Sequence, residues 1–118
     1  MLYACVDTIF NPIDKKSLRC IDAIQAKQAL VTGEGILIDV REPHEHQQQA
    51  PKSAINIPRG MIEFMLPQKV PNPDTQIFIH CAMGGRAMFA AEQLNRIGYT
   101  NVTVIEAPVA TICKCFDD

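Results

Sequence analysis

The sequence contains no tryptophan, and neither sign of charge is concentrated in any part of it. Its 11 basic and 13 acidic residues are scattered along the chain and give a formal net charge of −2. Nucleic acid is bound through clustered basic residues, so this distribution argues against a nucleic-acid partner. No apolar run is long enough to span a bilayer, and residues 1–10 lack the basic start and apolar run of a secretory signal. We therefore expect a cytoplasmic protein with no membrane partner.

The overall composition is that of an ordinary globular domain. Of the 118 residues, 47% are apolar and 20% are charged, which excludes a disordered chain and a coiled coil. A chain of this length has room for one hydrophobic core. We predict an N-terminal extension or edge element over residues 1–17 and a single domain over residues 18–118.

Short apolar runs alternate with amphipathic stretches along the chain. Runs typical of strands lie at residues 18–21, 36–40, 54–57, 76–80 and 102–105. Helices are predicted at residues 23–33, after Pro43, at 61–66 and at 86–97. Because such alternation requires crossover connections, we predict an α/β fold with a mostly parallel central sheet of about four to five strands, flanked by helices on both faces.

The first and the last of these helices carry clear signals. Asp22 and Gln25 have the spacing of a capping box, and Gly33 suits the end of the first helix. Its apolar face is predicted to comprise Ala23, Ile24, Ala26, Leu30 and Val31. The last helix is predicted to bury Ala87, Ala90, Ala91, Leu94 and Ile97 and to turn Glu92, Gln93, Asn95 and Arg96 outward.

Two predicted strands are followed by residues suited to chemistry. Asp39 to Pro43 follow one strand, and the segment HCAMGGR at 80–86 runs from another into the long helix. Ligands of parallel sheets bind at these carboxyl ends. Cys81 precedes a helix N-terminus, which favours the thiolate, the nucleophilic form of a cysteine. Gly84 and Gly85 allow the loop to turn its amides inward around an anion.

Arg86 stands in the first turn of that helix, where a cation opposes the helix dipole. We expect a nearby anion to offset it, either a bound oxyanion or a carboxylate such as Asp39 or Glu42. Of these two, we predict that Asp39 orients Arg86. Arg41 and Glu42 are interpreted as parts of a strand-end ion pair that fixes the loop.

Together these residues resemble the rhodanese family of sulfurtransferases. The segments DVREPHE at 39–45, AINIP at 54–58 and CAMGGR at 81–86 match that family in order and spacing, and GYTNV at 98–102 is a further similarity. The resemblance implies a rhodanese-like three-layer domain that carries sulfur as a persulfide on Cys81. It also implies that the amides of Ala82, Met83, Gly84, Gly85 and Arg86 cradle the substrate, supported by Asp39 and Arg41.

The same resemblance implies a reaction without a metal or other cofactor. The partners would be a small sulfane donor such as thiosulfate and an acceptor that is cyanide or a thiol. A thioredoxin-like or other sulfur-relay protein is a further expected partner.

The length of the loop between Cys81 and Arg86 distinguishes sulfur transfer from a first alternative, phosphatase or arsenate reductase activity. Related phosphatases and arsenate reductases place five residues between cysteine and arginine, whereas four separate Cys81 from Arg86. A noncatalytic regulatory or interaction module is the second alternative.

The chain departs from the family at Ala107-Pro108, where two glycines are usual, and at residues 49–53. Met83 makes the rim of the loop more apolar, which favours a protein or low-molecular-weight persulfide.

The roles of the remaining cysteines and of the histidines have several possible interpretations. Cys113 and Cys115 are interpreted as terminal thiols without a role, as resolving thiols that attack a Cys81 persulfide, or as metal ligands together with His44 and His46. Cys5 and Cys20 are predicted to be small core residues. His44 and His46 are expected to be exposed or half-packed, and His80 to be a hydrogen-bonded core histidine.

Overall fold

The polypeptide alternates between short strands and helices, as its sequence predicts. The computed structural model describes residues 18–33 and 35–117, so the predicted extension over residues 1–17, with Cys5, lies outside the described residues. The strands are β1 (Arg19–Ile21), β2 (Gly35–Asp39), β3 (Ile55–Asn56), β4 (Gln76–His80) and β5 (Val102–Ile105). The helices are α1 (Ala23–Thr32), α2 (Pro43–Gln48), α3 (Ile62–Lys69), α4 (Gly85–Arg96) and α5 (Val109–Asp117), with a 3-10 turn at Arg59–Met61.

All strand pairs in this sheet are parallel, in the order β1-β5-β4-β2-β3. Asp39 at the end of β2 is in register with His80 on one side and Asn56 on the other. Since the strands run in one direction, the segments that follow β2, β4 and β5 emerge at the same edge. This edge brings together Asp39, Cys81 and Glu106.

Helices cover both faces of the sheet, which confirms the predicted α/β three-layer fold. Successive strand residues point to opposite faces, so Ile38 and Ile79 pack on one side, and Leu37 and Phe78 pack on the other. The first face meets α3 and α4 through residues such as Ile62, Leu66, Ala87, Ala90 and Leu94. The second face meets α1 and α5 through residues such as Ala23, Ala26, Ile112, Cys115 and Phe116.

The boundaries of α1 follow the predicted capping residues. The Asp22 carboxylate accepts a hydrogen bond from the Gln25 amide at 2.8 Å, and the Gln25 side chain accepts one from the Asp22 amide at 3.0 Å. Gly33 donates its amide hydrogen to the Ala29 carbonyl at 3.0 Å. The predicted apolar face was too wide, because Ile24 is 61% exposed and Val31 is 71% exposed.

Helix α4 differs from its predicted pattern at two positions. Glu92 is buried, because its carboxylate is paired with Arg96 and accepts a hydrogen bond from the Gln93 side chain at 2.8 Å. Ile97, predicted to be buried, follows the helix and is exposed. Pairing with Arg96 and Gln93 thus allows Glu92 to be buried at a position that the periodicity predicted to be exposed to solvent.

Helix α5 is the element that the sequence pattern did not reveal. Pro108 precedes it, and the Ile112 amide donates to the Pro108 carbonyl at 3.1 Å. Lys27 of α1 donates to the carbonyl oxygens of Cys115 and Phe116 at 2.8 and 3.3 Å, which satisfies the C-terminal end of α5. The helix therefore forms part of the core. In the described ranges, no helix is long and apolar enough to cross a membrane.

We expect Ile112→Ala to lower the free energy of unfolding by about 2–4 kcal/mol, because it empties a fully buried position between α5 and the sheet. Urea denaturation measures the change. Ile24→Ala is the matched control and should cost less than about 0.5 kcal/mol, since that side chain is mostly exposed. Equal losses in the two variants would contradict the packing of α5.

Candidate active site

Cys81 follows β4 directly and lies beneath the start of α4. The residue is only 2% exposed and packs into the core on the α4 side of the sheet. Its Sγ atom accepts a hydrogen bond from the Gly84 amide at 2.9 Å and another from the Ala87 amide at 3.4 Å. Two amide donors directed at one sulfur stabilise negative charge on it. Such an arrangement can stabilise a thiolate, which is the nucleophilic form of a cysteine.

The loop between Cys81 and α4 depends on an unusual backbone conformation. Gly84 has φ of 123°, a region that residues with a side chain rarely adopt. This conformation turns the Gly84 amide toward the sulfur. Met83 is 70% exposed and forms the rim, and the Ala82 carbonyl accepts the Val109 amide at 3.0 Å. The loop is therefore tied directly to the start of α5.

Arg86 is held by Glu45 rather than by Asp39. Its two terminal nitrogens donate to the two Glu45 oxygens at 2.7 and 3.0 Å, and the Glu42 amide donates to Oε1 of Glu45 at 3.0 Å. The hydrogen bonds from Arg86 lower the pKa of Glu45 from 4.5 to about 2. The pair in turn raises the pKa of Arg86 above its ordinary value. The prediction that Asp39 orients Arg86 was wrong, because α2 places Glu45 closer.

Asp39 instead organises the segment that follows β2. It is fully buried, and its two oxygens accept bonds from Nε and Nη2 of Arg41 at 3.0 and 2.8 Å. His46 Nδ1 lies 2.9 Å from Oδ2 of Asp39. Burial alone would raise the pKa of Asp39, but the hydrogen bonds from Arg41 and His46 outweigh it and lower the pKa below its usual value. Arg41 thus forms the predicted strand-end ion pair, with Asp39 as its partner instead of Glu42.

Asn56 fixes the same segment from the neighbouring strand. Its side-chain amide donates to the carbonyl oxygens of Asp39 and Arg41 at 3.0 and 2.9 Å. Arg41 also donates to the Gln49 carbonyl at the end of α2. These bonds position α2, and therefore Glu45, against the Cys81 loop.

His80 is buried on the opposite face from the Cys81 sulfur. Its Nδ1 atom lies 3.4 Å from the Cys81 carbonyl, and its Nε2 atom has no hydrogen-bond partner among the described residues. Burial lowers the pKa of His80 below its ordinary value, so the ring is neutral near pH 7. The core location agrees with the prediction, whereas the expected hydrogen bonding is only partial.

Cys113 and Cys115 are half-buried free thiols, whereas Cys81 is buried. Cys115 packs with α1 and α5 on one face of the sheet, whereas Cys81 packs with α4 on the other. Burial and the nearby Asp117 raise the pKa of Cys113, which leaves it a poor nucleophile near pH 7. This arrangement argues against Cys115 as a resolving thiol for Cys81. Cys20 is half-buried against the core.

The metal-binding alternative also finds no support. In the described ranges, no group of three or more histidine, cysteine, aspartate or glutamate side chains is placed to hold a metal ion. His44 is exposed and His46 is half-buried against Asp39, as expected for these two side chains. Two surface grooves occur elsewhere, one beside α1 and β2 and one at the amino ends of the strands, and neither is lined by the Cys81 loop.

Comparison with known proteins identifies the class to which this fold and site belong. A family model described as a rhodanese-like domain matches residues 22–107. The chain therefore belongs to the rhodanese-like domain family.

One relative is thiosulfate sulfurtransferase PspE of Escherichia coli K12, which is 35% identical over 65 residues. The match covers 55% of this chain and 62% of PspE. A relative from Schizosaccharomyces pombe is 32% identical over 78 residues, and 55% of its length is covered. The chain thus spans about three fifths of the length of these curated relatives.

Solved structures show the same fold. A rhodanese with anions from E. coli has a TM-score of 0.60 and 31% identity, over 63% of this chain and 87% of the other. A protein from Rhodopseudomonas palustris, described as a possible tyrosine phosphatase, has a TM-score of 0.73 at 22% identity, over 86% of this chain and 83% of the other. At that identity the second similarity concerns the fold alone.

Sequence reasoning missed three contributors to the site. Ala87 supplies an amide to Sγ because the first turn of α4 lies over the thiol. Glu45 belongs to the DVREPHE motif, and its place three residues after Glu42 is the capping-box spacing, a signal that points to this residue. Glu106 lies against Gly84, and only the parallel register of β4 and β5 brings them together.

We expect Gly84→Ala to slow alkylation of Cys81 by iodoacetamide and to cost about 1–3 kcal/mol of stability, because an alanine is strained at this positive φ. Relief of the strain would turn the amide away from the sulfur. Peptide mass spectrometry measures the alkylation rate. Gly85→Ala is the control, since a Cβ there meets nothing within 4 Å. The two variants behaving alike would contradict the role of the Gly84 conformation.

The ion pair between Glu45 and Arg86 predicts a pH-dependent stability. The pKa of Glu45 is lowered from 4.5 to about 2, so its stabilising effect is complete above pH 4.5 and is lost as pH falls toward 2. We expect the difference in unfolding free energy between wild type and Glu45→Gln to be largest near pH 7 and to shrink below pH 4.5. Urea titrations from pH 7 to pH 3 measure it. A difference that stayed constant over this range would rule out the expected linkage.

Proposed function

We propose that the protein is a sulfurtransferase that moves a sulfane sulfur through a persulfide on Cys81. The observation that carries this proposal is the pair of amide hydrogens, from Gly84 and Ala87, directed at the Cys81 sulfur. These donors support both the attacking thiolate and the anionic persulfide that replaces it. Membership in the rhodanese-like family and the name of the E. coli relative, thiosulfate sulfurtransferase, support the same reaction.

The proposed cycle needs two displacements at sulfur. The Cys81 thiolate attacks the outer sulfur of a donor such as thiosulfate, so that a bond from Sγ to this sulfur forms. The sulfur–sulfur bond of the donor breaks, and its electron pair leaves on sulfite. An acceptor, either cyanide or a thiolate, then attacks the outer sulfur of the persulfide. This second step releases thiocyanate or a new persulfide and restores the Cys81 thiolate.

The amides serve as the anion-stabilising groups in both steps. Ala82, Met83, Gly84, Gly85 and Arg86 form the loop around the proposed substrate site, and Ala87 adds the second donor to the sulfur. Arg86 braces this loop against Glu45. Asp39 and Arg41 affect the loop indirectly, because they fix α2 and thereby position Glu45 against Arg86.

Phosphatase or arsenate reductase chemistry is less well supported. Such enzymes wrap an arginine around a tetrahedral oxyanion, whereas here both terminal nitrogens of Arg86 are engaged by Glu45. The loop is also one residue shorter than the loop of those enzymes. A noncatalytic module would not require two amide donors aimed at a cysteine sulfur.

Incubation with thiosulfate is expected to add about 32 Da to the intact mass, as a persulfide on a nucleophilic thiol requires, and cyanide should remove the addition. Cys81→Ser should abolish it. Cys113→Ser and Cys115→Ser are matched controls and should leave it intact, since Cys115 packs on the other face of the sheet and burial disfavours the Cys113 thiolate. Failure to form an adduct with any sulfane donor, combined with turnover of an aryl phosphate, would instead favour the hydrolase.

A further inference from the structure

Glu106 lies against the loop that holds the Cys81 sulfur. A Cβ atom built on Gly84 would meet Cγ of Glu106 at 3.5 Å and its Cα at 4.0 Å. The amide of the same Gly84 donates to Sγ of Cys81 at 2.9 Å. The Glu106 side chain and the Cys81 sulfur therefore both lie next to Gly84.

The segment around Glu106 is fixed on both sides. The Glu106 amide donates to the Ile21 carbonyl at 2.8 Å, which extends the pairing of β5 with β1. Three residues later, the Val109 amide donates to the Ala82 carbonyl at 3.0 Å. The backbone of Glu106 is thus held beside the loop.

The charge of Glu106 is not compensated by its surroundings. Its side chain is exposed and makes no hydrogen bond or ion pair with any residue in the described ranges. Three arginines that follow the strands at this edge are already paired: Arg86 with Glu45, Arg41 with Asp39, and Arg59 with Glu63 at 3.4 Å. None of these three is therefore paired with the Glu106 carboxylate.

We infer that Glu106 determines donor specificity at Cys81 by disfavouring dianionic donors such as thiosulfate relative to sulfane donors that carry less negative charge. This inference rests on the proposed sulfur transfer. The attack of a thiolate on thiosulfate gathers three negative charges beside Glu106, whereas attack on an alkyl thiosulfonate gathers two. Repulsion by the carboxylate therefore penalises thiosulfate more. The exposed Met83 side chain offers an apolar contact to the alkyl group of such a donor.

The balanced step is the same for both donors. The Cys81 thiolate takes the outer sulfur of methanethiosulfonate, and the electron pair of the broken sulfur–sulfur bond leaves on methanesulfinate. Thiosulfate undergoes the same displacement with sulfite as the leaving group. The two donors therefore transfer the same atom and differ by one unit of charge.

The test measures the second-order rate of persulfide formation on the full chain by rapid quenching and intact mass. We expect Glu106→Gln to speed the reaction with thiosulfate by about 3- to 10-fold at low ionic strength, and the reaction with methanethiosulfonate by less. Salt at about 0.5 M should remove most of the difference, since it screens exposed charges. Asp74→Asn makes the same charge change at the opposite edge of the sheet and should alter neither rate.

Alkylation of Cys81 provides a readout that does not depend on sulfur transfer. Glu106→Gln should raise the rate with the anion iodoacetate relative to that with neutral iodoacetamide, measured on the peptide that contains Cys81. An unchanged ratio of rates for both pairs of reagents would overturn the role of Glu106, even if persulfide forms. Absence of persulfide with either donor, in wild type and variant alike, would overturn the sulfur-transfer reaction and donor selection with it.

Discussion

The structure depends on one constraint: a buried strand must deliver a cysteine sulfur to the first turn of a helix. Cys81 directly follows β4, and Ala87 lies in the first turn of α4. Amides in the first turn of a helix have no carbonyl partner within the helix, so the Ala87 amide is available to donate to the Cys81 sulfur. Gly84 makes the connection possible, because its positive φ turns a second amide toward the same atom. The sulfur is otherwise enclosed by apolar side chains. The two amides can therefore stabilise negative charge on a sulfur that is largely shielded from solvent.

The charged residues around Cys81 form successive ion pairs, each of which positions the next. Asp39 and Arg41 form a buried pair that, with Asn56, holds the segment leading into α2. Helix α2 then presents Glu45, which neutralises Arg86 and braces the loop. Because these charges cancel in pairs, the groups that can stabilise an anionic sulfur are the backbone amides of Gly84 and Ala87. Among the described residues, the Glu106 carboxylate beside the loop has no partner, which is why the proposed donor choice depends on a residue outside the loop.

The C-terminal region shows how a departure from the family pattern can be accommodated. Ala107 and Pro108 stand where the family usually has two glycines, yet the chain continues into α5 without strain at a non-glycine residue. Val109 bonds to Ala82 of the loop, and Ile112 fills the core beneath the sheet. Helix α5 therefore connects the Cys81 loop to the core. Cys115 belongs to this helix as a packing residue.

The sequence by itself determined the order of the strands and of every helix except α5, the capping of α1, and the place of Cys81 between a strand and a helix. These features are local: periodicity, a capping box and a cysteine before a glycine pair each depend on neighbours in the chain. The tertiary structure alone decided that Arg86 pairs with Glu45 rather than Asp39, that Glu106 stands against Gly84, and that the sheet separates Cys115 from Cys81. Those contacts join residues far apart in sequence, and they arise from parallel strand register and helix placement, which no local pattern specifies.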